Sequence, residues 1–152
     1  MPDIPFMRAH GHVPGPTQRP TAAGIIDGIV AGIPAVALLW ISGALDVMSR
    51  SLKLPELLVP ELQLLALAIA GAFYGRVFGR AANDRDGGWL FGMSYGFLVW
   101  MLGPATLLQW VLRAPLAVGR PALMLFGAHL IYGMTLGFLF PHIHTLLQRD
   151  LE

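Results

Sequence analysis

His129, Asp27 and two His-x-His pairs, His10-x-His12 and His142-x-His144, are the positions in this chain whose residue types and spacing could carry chemistry. His129 stands inside an apolar run, where an ionisable side chain is a functional hypothesis by default. It could be an axial ligand to haem or chlorophyll, or a proton-relay group. The alternative is a neutral imidazole hydrogen-bonded to a neighbouring helix, with Thr106 and Ser42 as partners by depth. No second histidine lies within an apolar run to complete a bis-histidine haem in one chain. Asp27 lies about one turn inside the first run. There it would either pair with Arg76, Arg80 or Arg85 or act as a proton-accepting carboxylate, because an isolated buried charge is costly. The four outer imidazoles, His10, His12, His142 and His144, would fall on one membrane face. Nitrogen ligands suit Zn, Cu or Ni, but the first pair sits on an arm without fixed geometry, and the plainer reading is polar side chains at the headgroup level.

Other chemistry is excluded or unsupported. The chain has no cysteine, which removes disulfides, thiolate metal sites and cysteine nucleophiles. There is no Ser-His-Asp set and no paired-carboxylate hydrolase site. Gly87-Gly88 is not a phosphate-binding loop, since no Gly-Lys-Ser/Thr follows. A net charge of +1 gives no clustered basic face for nucleic acid. An enzyme is therefore the weakest expectation.

The elements that must position these residues are read from hydropathy. Of the 152 residues, 55% are hydrophobic and 12% charged, where a soluble domain carries about 25% charged residues. Apolar runs cover about 22–47, 58–80, 88–112 and 121–141, each near or above the ~20 residues that a helix needs to cross the hydrocarbon. Residues 1–20 are proline-rich with no apolar core of a secretory leader, and are expected to form an extramembrane arm. Residues 142–152 are expected to be a polar tail. An even number of spans puts both ends on one side, with Arg8, Arg19, Arg76, Arg80, Arg85 and Arg149. The opposite side has Arg50, Lys53, Arg113 and Arg120. The positive-inside rule then favours cytoplasmic termini, in a prokaryotic inner membrane.

Within the runs, glycine recurs every fourth residue: Gly24, Gly28 and Gly32; Gly71, Gly75 and Gly79; Gly88, Gly92 and Gly96; Gly133 and Gly137. That spacing lines one helix face with small residues. In lipid, apolar surface drives little association, so close backbone contact through such residues is what joins helices. Tyr74-Gly75 aligns without gaps on Tyr132-Gly133, placing His129 where the other copy has Gly71. The first and third ladders align Gly24 on Gly88. The expectation is an all-α, four-transmembrane-helix bundle built from two tandem helical hairpins, with the glycine ladders on a common seam and little room at the centre. Trp89 and Trp110 fit aromatic belts near the two ends of the third span.

The segments LFGMSYGFLVWMLGP (90–104) and HLIYGMTLGFLF (129–140) resemble those of small four-helix prokaryotic membrane proteins of unknown function, which share glycine-spaced helices and a His-Leu-x-Tyr-Gly-x-x-x-Gly motif in the last one. The resemblance implies a fold and no activity, substrate or cofactor. The leading functional expectation is a non-catalytic accessory subunit of a larger respiratory or photosynthetic membrane complex, in contact with lipids and other membrane subunits. A small-solute transporter or channel acting as a homo-oligomer comes next, and a haem- or pigment-binding protein using His129 after it.

Overall fold

The computed structural model describes residues 19–82, 86–110, 113 and 119–149. The chain is all-helical there, with α1 (Pro20–Ile41), α2 (Ala44–Leu52), α3 (Leu58–Ala82), α4 (Gly88–Leu102), a π-helical segment (Gly103–Leu108) and α5 (Arg120–Arg149). Four stretches, Pro20–Ile41, Leu58–Gly79, Gly88–Leu108 and Arg120–Leu147, are long and apolar enough to cross a membrane. The protein is a membrane helix bundle.

Local chemistry sets the boundaries. The first run, expected as one helix over 22–47, breaks at Gly43, whose φ of 72° suits glycine. The chain restarts as α2, which ends at Lys53 with a left-handed backbone and the Ser49 hydroxyl donating to the Leu54 carbonyl (2.6 Å). Pro20 opens α1 at a favoured first-turn position. Pro104 lacks an N–H and falls in the π-helical segment, where the Thr106 hydroxyl donates to the Met101 carbonyl five residues back (2.7 Å). α5 passes through Pro141 and continues to Arg149, so the segment expected as a polar tail is helical over 142–149.

The packing has close and wide sides. α1 lies along α3, and α4 lies along α5. The glycines define how near the backbones come. A methyl group built on Gly71 would stand 2.6 Å from the Gly28 Cα, and one on Gly24 would strike the Gly71 carbonyl oxygen. Across the other pair, a methyl on Gly92 would stand 2.6 Å from the Gly137 Cα, and one on Gly133 would strike the Gly92 carbonyl oxygen. Gly32 differs, since its added methyl would meet Leu64 and Leu67 side chains instead of backbone. Gly79 is buried.

These contacts form two seams, one inside each pair of consecutive spans, where one common seam was expected. They also set a register different from the expected alignment of Gly24 on Gly88. The Gly24 position faces the Gly71 oxygen and the Gly75 Cα, as Gly96 faces the His129 oxygen and the Gly133 Cα. The surroundings of Gly24 thus match those of Gly96, two turns beyond Gly88, and those of Gly75 match those of Gly133.

α1 and α5 join the two pairs. α3 and α4 stand further apart, and rings fill the gap: Tyr74 and Phe78 from α3 meet Phe91 and Tyr95 from α4, with Tyr74–Tyr95 centroids 4.9 Å apart and Phe78–Phe91 5.5 Å apart. Large apolar side chains such as Ile33, Ile69, Phe138 and Trp110 face outward, as lipid requires.

Candidate functional site

The buried face of α1 carries Ala23, Asp27, Ala31 and Ala35 at helical spacing, all within 1% of full burial. One carboxyl thus interrupts a stripe of alanines. Neither oxygen of Asp27 has a hydrogen-bond partner. The expected ion pair with Arg76 is not formed among the described residues. Arg76 is exposed, and Asp27 points inward from a different helix face; the side chains of Arg80 and Arg85 lie outside those described.

Three tyrosines converge on this level. The Tyr132 hydroxyl crosses from α5 to donate to the Leu67 carbonyl (2.8 Å), and the Tyr95 hydroxyl crosses from α4 to the Ala70 carbonyl (2.6 Å). The Tyr74 hydroxyl is buried and has no partner. Tyr74 and Tyr132 are both close enough to Asp27 to interact with it electrostatically. The bundle interior therefore has both an unpaired carboxyl and an unpaired phenol. Two further phenols tie α4 and α5 to the backbone of α3.

This cluster is not foreseen in the sequence, where Tyr74 and Tyr132 serve only to align the two copies. A signal was present: every tyrosine of the chain precedes a seam glycine, in Tyr74-Gly75, Tyr95-Gly96 and Tyr132-Gly133. A residue next to the seam on a helix is turned about 100° from it, which here points it at the bundle axis. The two kinds of phenol predict opposite outcomes. Tyr132→Phe should cost about 0.5–1.5 kcal/mol in thermal unfolding in detergent, the worth of one hydrogen bond. Tyr74→Phe should instead raise the midpoint, since it removes a buried hydroxyl that has no partner.

His129 is 3% exposed and serves two contacts. Its carbonyl oxygen faces Gly96 in the seam. Its ring does not reach Thr106 or Ser42, the expected partners, whose hydroxyls donate to the Met101 and Leu39 carbonyls. Instead Nδ1–H donates to the Leu125 carbonyl one turn earlier (2.8 Å). A carbonyl only accepts, so this bond fixes the proton on Nδ1, and the neutral ring keeps a lone pair on Nε2. The ring lines a pocket of about 320 Å³ between α3 and the π-helical segment. The room expected to be missing at the centre is thus found at the side, where α3 and α4 diverge. A lone pair of this kind is what an axial ligand to haem or chlorophyll uses. The pocket, however, is at the lower end of the ~300–1,000 Å³ range of small-ligand sites, matching one ring and a short chain and not an enclosed tetrapyrrole.

The two outer histidines among the described residues, His142 and His144, do not converge. His142 is exposed, with Nδ1–H donating to the Phe138 carbonyl (3.1 Å). His144 is buried and stacked on Phe140, with centroids 5.9 Å apart. Two residues along a helix turn about 200°, which sends the two rings to different sides. His10 and His12 lie outside the described residues. Among the described residues, no three His, Cys, Asp or Glu side chains cluster as a metal site needs.

Fold and interior together define a class, the four-span membrane helix protein with a small polar centre. No protein-family model, curated protein or solved structure matches the chain. Function is therefore argued from the interior groups.

Proposed function

We propose that this chain is a proton-handling, non-catalytic subunit of a larger membrane assembly, with Asp27 as its working group. One observation carries the reading: a fully buried carboxyl with both oxygens unpartnered, in a bundle interior that also holds an unpartnered tyrosine hydroxyl. Such a group costs stability wherever it does no work, and ionisable residues within spans mark proton and ion paths. Tyr74 is the first station for a proton leaving Asp27, with Tyr132 and Tyr95 around it. The scaffold is proposed to be a tandem duplication of a glycine-packed hairpin. The like surroundings of Gly24 and Gly96, and of Gly75 and Gly133, support it. The arginine imbalance supports a cytoplasmic-membrane location with both ends in the cytoplasm.

The test is labelling of native membranes with dicyclohexylcarbodiimide, an apolar reagent that adds to protonated carboxyls within lipid, followed by peptide mass analysis and gentle-detergent native mass measurement. The expected result is an adduct on Asp27 that declines as the pH is raised and is absent in Asp27→Asn, on a protein that migrates with partners. An unlabelled Asp27 in folded protein would overturn the proton role. A bare monomer or homo-oligomer that passes protons or a solute across liposomes would instead establish the transporter reading.

A further inference from the structure

The His129 pocket stands apart from Asp27 and from the proposed proton role. Its walls come from three parts of the bundle: Met48 of α2, Leu62 and Gln63 of α3, and Val99, Gly103 and Leu107 along α4 and its π-helical continuation. Leu62 and Leu107 are exposed on the outer surface, so the pocket opens toward the lipid and an apolar molecule enters it without crossing water. Its walls are otherwise apolar, and two polar groups stand in them. One is His129, more than nine-tenths buried and part of the pocket wall, with Nδ1 committed to Leu125 and no bond made by Nε2 among the described residues. The other is the half-buried Gln63 amide, which makes no hydrogen bond among the described residues. The pocket exists because the backbone yields there. The π-helical turn follows Pro104, and a methyl group on Gly103 would meet nothing within 4 Å. Single π-turns inside longer helices are found often at functional sites.

We propose that this pocket binds a lipophilic alcohol or phenol, an apolar one-ring or short-chain molecule whose hydroxyl donates to His129 Nε2. The choice follows from the proton on Nδ1. An acceptor-only head such as an ester, an ether or a quinone carbonyl meets a lone pair at Nε2 and is repelled, whereas an O–H finds its acceptor. Gln63, which both donates and accepts, takes the hydroxyl oxygen or a second polar group on the same ring. A plain acyl chain fills the volume and leaves both groups unsatisfied.

The probes are 2-naphthol and 2-methoxynaphthalene, alike in ring and differing in the donor. Each is titrated against the full chain in nanodiscs, with empty nanodiscs subtracted and probe fluorescence excited beyond tryptophan absorption. Saturable binding is expected for both, with about a tenfold preference for the naphthol, the worth of one hydrogen bond in an apolar site. His129→Phe should reduce that preference to near unity and keep the apolar binding. Gly103→Leu, placed over open space, should fill the pocket and remove saturable binding of both probes while the helical spectrum and unfolding temperature stay put. Equal affinity for the two probes in the unaltered protein would overturn the hydroxyl assignment. Unchanged binding in folded Gly103→Leu would overturn the site itself.

Discussion

Gly133→Ala, the addition of one methyl group, is expected to pull α5 away from α4, while Gly127→Ala in the same helix leaves the bundle intact. At Gly133 the new carbon would strike the Gly92 carbonyl oxygen and stand 2.7 Å from the Gly96 Cα. Backbone cannot rotate out of the way as a side chain can, so the helices must part. Overpacking of a filled interior costs about 1–3 kcal/mol, occasionally more, and in lipid the loss falls on the contact that joins the helices. At Gly127 nothing lies within 4 Å, and alanine there gains up to about 1 kcal/mol of helix propensity. Thermal unfolding of both variants in one detergent checks this: a lowered midpoint for Gly133→Ala, with an unchanged or raised one for Gly127→Ala. Equal behaviour would show that the close approach does not hold the pair together. Because helix and substituent are the same, only the neighbourhood of the methyl differs.

The second large effect is a gain. Asp27→Leu keeps a side chain branched at the same carbon and removes two buried oxygens that have no partner. An unsatisfied buried polar group costs about 1–3 kcal/mol, so the variant should unfold at a higher temperature than the original chain. It should also lose the carbodiimide adduct and any proton-linked activity of the assembly. Stability and function would then move in opposite directions at one residue, as they do where a local rule is broken for a working site. A drop in stability would mean that the carboxyl holds the fold together, and would sink the proton role with it.

The all-helical class and the number of span-length apolar stretches were legible in the sequence, because hydropathy records them directly. What was not legible depended on which faces meet. A ladder of glycines does not say which other ladder it fits. Aligning Gly24 on Gly88 satisfied the spacing, and the backbone contacts put Gly24 with Gly96 instead. The break at Gly43 was hidden within a continuous apolar run, since a left-handed glycine changes no hydropathy. At the site, Asp27 and His129 stood out as lone ionisable groups among apolar neighbours, yet neither meets the described partners expected of it, Arg76 for Asp27 and Thr106 or Ser42 for His129. Thr106 and Ser42 matched His129 in depth, but a helical side chain reaches its own preceding turn more cheaply than another helix, and Leu125 was there. Arg76 matched Asp27 in membrane side but is exposed while Asp27 is buried. Gln63 and Gly103 carry no sequence signal of a pocket; only the divergence of α3 and α4 creates one.

Each tight seam joins spans that follow one another in the chain, the first with the second and the third with the fourth. A ribosome feeding this polypeptide into a membrane therefore releases a self-sufficient half before the rest has been made. The earlier half can close on itself during translation, with no need to wait for distant segments. What remains is a late docking of two finished pieces through α1 and α5, and the polar centre and the lateral pocket both come into being at that last step.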